Sequence, residues 1–499
     1  MIKTIKPSPF LAHVFSTAGA SLATAVSSIF VLRFLAQGLG SESFGLYSLS
    51  NRAFSILIPF ASLMMGLAMS RNLSSTPDRE EKNAYILSAS SWVLLSVGFV
   101  WITGVLFRER LSSFFLGSSQ RHLLWFATLS SVTFFSFYSL LDGIYFGTSK
   151  IFKANLWQWL LSVIGPLAIA FRFRHAPVYR IIFLLSALYS LALIPLALTW
   201  FGIWKTKTIK GDLLRHKGRL IAFSAPRIAG GWLASLLLLI GPLFASHFIS
   251  YAEAGFLMLA QSVFRVAEMG TNAFASVALS KAGSLIGEGK QVFLKERVGD
   301  MIEMIFQIGL FLAAHLFLWS DDLVILWLGN EYLNVSLRIK IYLLGFIPYF
   351  AYVVLRPIIE ALEFKPVNVF HLGISCAAAL SLAFPLARAG GALGLALSTS
   401  LGFLVLGALT VRYFGKKNLA GRAIFKIVMI NAALAVPLIV IQPWLRLWPG
   451  SLRFTASITL ELLLAALYVY VLWSLKSRWI LELQKRLITY DSSEESAHD

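Results

Sequence analysis

GLYSLSNRAFSILIPF, residues Gly45 to Phe60, is apolar enough to cross a membrane yet carries an arginine, Arg52, in its middle. The pattern returns 210 residues later: GLYSLSNRAF falls on GFLMLAQSVF, matching Gly45 with Gly255, Leu49 with Leu259 and Phe54 with Phe264. Further on, LAMSRNLS falls on VALSKAGS, pairing Ala68 with Ala278, Ser70 with Ser280, Arg71 with Lys281 and Ser74 with Ser284 without a gap. Such self-similarity marks a duplicated unit. With an even number of spans per unit, both copies enter the membrane in the same orientation. They are then related by an axis along the membrane normal, with the site expected between them near the midplane.

The rest of the 499 residues agree: 58% are hydrophobic and only 13% charged, where soluble domains carry about a quarter charged. A hydrocarbon core about 30 Å thick needs roughly 20 apolar residues per helix. Runs of that kind fall near residues 10–36, 44–69, 84–107, 122–146, 155–172, 179–204, 219–249, 252–277, 301–319, 337–362, 367–387, 390–413, 423–444 and 453–475. The expected fold is an all-α polytopic membrane protein of about fourteen transmembrane helices. It comprises a six-helix lobe (1–207), a connector and second six-helix lobe (208–414), an extra helix pair (415–475) and a polar tail (476–499). The basic MIKTIK start precedes an apolar run too long for a cleaved signal, so a retained first span is expected. The single cysteine, Cys376, offers no disulfide or thiolate metal site and reads as a small buried hydrophobe.

A net charge of +19 has a topological reading before a nucleic-acid one. With the N-terminus inside, inner segments hold 27 Lys and Arg, outer segments 11 and the spans themselves five: Arg33, Arg52, Arg227, Arg265 and Arg356. This positive-inside bias predicts both termini in the cytoplasm, and no nucleic-acid partner. The basic connector KTKTIKGDLLRHKGRL joins the lobes on that side, as a solvated loop or against anionic headgroups.

Charges at membrane depth are costly and face a bundle interior or a wet cavity. Arg52 lies about 12 Å below the outer start of its helix at 1.5 Å per residue, in a stripe with Ser48, Ser55, Ser62 and Ser70. A second stripe, Gln261, Arg265, Glu268, Asn272 and Ser276, occupies the corresponding face of the repeat. Two faces related by the axis would share one cavity. Arg227 sits in FSAPRIAGGW, where Pro226, Gly230 and Gly231 should weaken the helix and serve as a hinge or gate. Arg356 follows Tyr349 and Tyr352 on one face, with Glu360 four residues on. Guanidinium pairs bidentately with phosphate oxygens. Arg52, Arg227 and Arg265, with Arg33 and Arg356, are therefore candidates for a diphosphate, and Gln261 and Asn272 for sugar hydroxyls. The bland reading of Arg265 with Glu268, and of Arg356 with Glu360, is an ion pair along one helix. Arg33 could equally snorkel to its helix end. Asp142, Glu268 and Glu360 are candidates for carrying a coupling proton.

GSLIGEGKQ, Gly283 to Gln291, has the glycines of a phosphate loop one residue too far apart and no Ser or Thr after Lys290, so nucleotide hydrolysis is not expected. The eight histidines show no metal-ligand spacing, and the outer loops are short for an extramembrane catalytic domain. No cofactor is expected, though a proton or another ion could be coupled.

The first seventy residues, with FGLYSL (Phe44 to Leu49) between two polar-dotted helices and a small, basic exit, resemble the bacterial polysaccharide exporters of the multidrug, oligosaccharidyl-lipid and polysaccharide superfamily. The resemblance implies two lobes that flip undecaprenyl-diphosphate-linked oligosaccharide (O-antigen type) from the cytoplasmic to the periplasmic leaflet of the inner membrane by alternating access. It implies a monomer in the bilayer, with other polysaccharide-assembly proteins as candidate partners. A related branch uses cationic residues on its first, second and eighth helices, which Arg52 and Arg265 match here. Spans eleven and twelve contain no carboxylate, so the sodium site of some relatives is not supported. The alternatives are a multidrug cation antiporter of the same superfamily, which calls for an anionic cavity, and a membrane-embedded glycosyltransferase or polymerase.

Overall fold

A computed structural model describes residues 9–205, 213–264, 291–363, 366–414, 441 and 450–474. Among them all regular structure is helical, as it must be where no water is present to satisfy the backbone. Among the described residues, nine helices are long and apolar enough to span a bilayer. Two of these are kinked pairs. Pro9–Ser62 turns at Gly40, whose φ of 73° with ψ of 168° suits glycine, separating span one (9–39) from span two (41–62). Val367–Tyr413 turns at Gly390 and Gly391, separating spans eleven and twelve. Span eight begins as Tyr251–Ala260, its start capped by the Ser250 hydroxyl on the Glu253 amide at 3.1 Å. Its continuation and most of the thirteenth expected span lie outside the described residues. Large apolar side chains such as Phe99, Phe152, Leu198 and Trp204 are exposed, as they must be in lipid, while one apolar core runs through both halves.

Span two is broken below Arg52. Leu63 and Met64 adopt φ of 48° and 51°, and a second helix, Met65–Ser75, carries the span onward. Pro59, one turn earlier, lacks an amide hydrogen. The break releases the carbonyls of Phe60 and Ala61, and the Ser96 hydroxyl of span three takes both, at 2.5 and 2.9 Å. Beyond the break, Met65–Ser75 lies against span four along a glycine seam. A Cβ on Gly143 would lie 2.1 Å from the Gly66 carbonyl oxygen, and one on Gly66 2.3 Å from that of Ser139, so only glycine permits this approach.

Span seven, Leu213–Phe248, is helical throughout, including Pro226, Gly230 and Gly231. Gly231 accommodates a neighbour: a Cβ there would fall 2.5 Å from the Met64 methyl. The interruption near this level therefore belongs to span two, whose left-handed pair presses its Met64 against the glycine where a hinge was expected.

Candidate functional site

The two repeats meet at their equivalent glycines. A Cβ on Gly255 would lie 3.1 Å from the Gly45 Cα, and one on Gly45 only 1.9 Å from the Tyr251 carbonyl oxygen. Equivalent positions that touch lie on the axis relating the halves, so the 210-residue offset has a physical counterpart at this crossing. Around it, at the end that the loop charges assign to the outside, the halves are tied together. The Tyr251 hydroxyl donates to the Gly117 carbonyl at 3.1 Å, and the Arg121 guanidinium lies 4.2 Å above the Tyr251 ring. On the other flank, Trp327 donates to the Ile29 carbonyl (3.0 Å), Gln37 to that of Leu328 (3.2 Å), and the Tyr332 hydroxyl to that of Ala36. Burial and the adjacent Glu331 push the Tyr332 phenol up to about 12, which keeps it a donor at any growth pH.

Seven residues inward of Gly45, Arg52 reaches across the seam. Its Nη2 donates to Gln261 Oε1 at 2.5 Å. The Gln261 amide nitrogen donates in turn to the Leu238 carbonyl (3.0 Å) and the Tyr342 hydroxyl (3.2 Å). Gln261 is buried, and these bonds use both of its amide hydrogens. It therefore holds the Arg52 guanidinium in place, with one lone pair of Oε1 left to accept from a ligand.

Nearer the other end, two arginines share one aromatic ring. The Arg227 guanidinium lies 3.7 Å above the Phe223 ring and donates to the Phe223 carbonyl at 2.6 Å. Arg71, from the far side of the break in span two, lies 4.5 Å from the same ring. Arg356 is paired with Glu360 (Nε to Oε1, 3.3 Å), and the Asn368 amide donates to the same Glu360 oxygen at 3.4 Å. Among the described residues the surroundings of the Phe223 ring are thus mostly cationic, and Glu360 is already engaged by Arg356 and Asn368. Span seven is held to span three here: Glu81 lies 3.5 Å from His216 Nε2, and Tyr85 packs edge-on to the His216 ring at 4.4 Å.

Arg33 is half-buried on span one and forms no ion pair among the described residues. Asp142 is half-buried near the inner end of span four, likewise without an ion pair there. Arg265, Glu268 and Asn272 lie outside the described residues. Two features escaped the sequence reading. Arg71 looks like an ordinary positive-inside residue until its partner ring is seen. The buried Arg338, whose Nε donates to Glu253 Oε2 at 3.1 Å and whose Nη2 donates to the same oxygen, joins span ten to span eight at the outer end. Both of its members occur near helix termini, where charges look solvated.

These helices, paired repeats and seam define a multi-pass membrane protein with the two-lobed exporter fold. Similar solved structures bear this out. The lipid II flippase MurJ in an inward closed conformation superposes with a TM-score of 0.68 at 16% identity, over 93% of this chain and 99% of that one. An inward-facing multidrug resistance MATE transporter of the MOP superfamily matches with 0.62 at 13% identity, over 82% and 99%. A variant of the Vibrio cholerae MATE transporter VcmN matches with 0.57 at 13% identity, over 83% and 98%. No curated protein matches the chain in sequence. The polysaccharide biosynthesis protein family matches residues 10–280, more than half of the chain, and the protein belongs to that family.

Proposed function

We propose that the protein is a flippase, with no enzymatic activity of its own, that moves undecaprenyl-diphosphate-linked oligosaccharide from the cytoplasmic to the periplasmic leaflet of the inner membrane for surface polysaccharide. The observation that carries this reading is the arginine series along the seam: Arg52 at mid-depth, then Arg227 and Arg71 about one ring. Permanently charged, planar donors suit a diphosphate, and the same charges would repel the lipophilic cations of a drug antiporter. Membership of a polysaccharide biosynthesis family supports the glycan. A seam tied at the outer end by bonds that a second state would break supports alternating access. For coupling, Asp142 is the stronger proton candidate, because Glu360 is held by Arg356 and Asn368.

The test is charge reversal in cells whose only copy is the variant. Arg52→Glu and Arg71→Glu should each abolish surface polysaccharide while the protein remains in the membrane at normal abundance. Undiminished polysaccharide from both would overturn the reading, and a new resistance to lipophilic cations in the wild-type expressor would favour the antiporter.

A further inference from the structure

The first lobe contains a cavity that the arginine series does not use. It measures about 340 Å³ and is lined by spans one, two, four, five and six. Its lining sets hydroxyls, among them Thr24, Ser27, Ser50, Thr128, Ser131 and Ser162, in a larger apolar surface, and no charged residue lines it. Most of these hydroxyl hydrogens are already committed: Thr24 to the Ala20 carbonyl (2.9 Å), Ser27 to Val163 (3.1 Å), Thr128 to Leu124 (2.8 Å) and Ser131 to Ile182 (3.2 Å). Thr24 also accepts from the Gln158 amide (3.2 Å) and Thr128 from the Ser50 hydroxyl, which leaves Ser27 and Ser131 as the acceptors with most capacity to spare. Asn51 adds an amide with donors. Phe54, Phe135 and Tyr189 form an aromatic wall, joined edge to face at 5.2 and 5.1 Å. Span five widens to a π-helix over Trp159–Ile164 at this wall, and such bulges recur at functional sites.

We infer that this cavity is a saccharide subsite, which seats one sugar of the lipid-linked glycan while the seam arginines hold its diphosphate; the inference rests on the flippase reading. A pyranose presents many hydroxyl donors and an apolar face, the complement of fixed acceptors beside aromatic rings. A metal cation would lack a carboxylate, and an acyl chain would leave the hydroxyl oxygens unsatisfied. The position fits as well. Asn51 lines the cavity and Arg52 enters the seam; consecutive helical residues point about 100° apart at one depth. A headgroup on the Arg52 side of span two could therefore reach round the helix into the lobe without changing level.

The experiment titrates purified protein in nanodiscs with a polyprenyl diphosphate, either bare or carrying a single N-acetylglucosamine. Wild type should bind the glycosylated probe about tenfold more tightly, the effect of one or two net hydrogen bonds. Ser162→Leu, which fills the cavity, should bring the two affinities together without weakening the bare probe, and Thr24→Val, nearly isosteric, should do so in part. Arg52→Glu should weaken both probes equally. Equal affinities in wild type, or a sugar preference that survives in a folded Ser162→Leu protein, would overturn the subsite and leave the flippase standing. No binding of either probe would instead remove the flippase reading. Sodium-dependent heat uptake in place of sugar preference would reassign the cavity to a cation and overturn the proposal.

Discussion

Gly45→Ala puts one methyl group where the two repeats cross. The added Cβ would lie 1.9 Å from the Tyr251 carbonyl oxygen, and ordinary contact begins at 3.4 Å, so spans two and eight must part by about 1.5 Å at the outer end. The obstacle is backbone, which cannot rotate aside. Overpacking of this kind costs about 1 to 3 kcal/mol, charged to the state with its outer end closed and absent from one in which the spans have separated. The closed-to-open ratio should therefore fall about 5- to 150-fold. Gly255→Ala is a graded control, because its Cβ would lie 3.1 Å from Gly45 Cα and needs only a few tenths of an ångström. Gly98→Ala, with nothing within 4 Å, is the silent one. In a Cys376→Ser background, a cysteine at the buried Ser48 reports opening through its rate of labelling by a membrane-impermeant maleimide added outside. Labelling should be fastest for Gly45→Ala, intermediate for Gly255→Ala and unchanged for Gly98→Ala. A folded Gly45→Ala protein labelled no faster than Gly98→Ala would refute the reasoning.

Three further outcomes follow from the seam. Gln261→Leu removes the acceptor of Arg52, a charge-assisted bond of about 1.5 to 3 kcal/mol, and should reduce surface polysaccharide; Gln261→Glu, which neutralises the arginine, should reduce it further, and wild-type output from Gln261→Glu would show that the charge is not needed. Arg338→Ala leaves Glu253 without its partner and should lower stability by about 3 to 5 kcal/mol, seen as a drop in melting temperature that the double variant Arg338→Met with Glu253→Met largely reverses. Asp142→Asn should preserve folding and leave polysaccharide export insensitive to a protonophore at reduced rate; export that still collapses with the proton gradient would clear Asp142 of a coupling role.

Much of the architecture is legible before any coordinates, because bilayer thickness converts apolar runs directly into helices and the duplicated stretch announces its own symmetry. Arg52 was legible for the same reason: a charge at that depth is conspicuous. Its partner was not, since pairing with Gln261 depends on the register between spans two and eight, which the Gly45 crossing sets through tertiary contact. The proline and two glycines of span seven do not interrupt its helix. Their low propensity is a property of helices in water, whereas in lipid an unwound backbone has no solvent to turn to. Leu63 and Met64 gave no warning, being neither glycine nor proline. The signals for that break are Pro59 a turn away and Ser96 on another helix, and neither is informative alone. The saccharide cavity was invisible because its lining comes from five spans and forms no motif.

The break in span two also has an energetic side. Two residues without glycine's freedom sit in the left-handed region, at about 1 to 2 kcal/mol each, and the two carbonyls freed there depend on a single serine of the neighbouring helix. A straight span would need neither concession, so the bent helix behaves as a loaded spring with Ser96 as its catch. Arg52 stands above the spring and Arg71 below it. Straightening the bend would change the spacing of these two guanidinium groups, and a load of about 2 to 4 kcal/mol is enough to reset its population by roughly thirty- to a thousandfold.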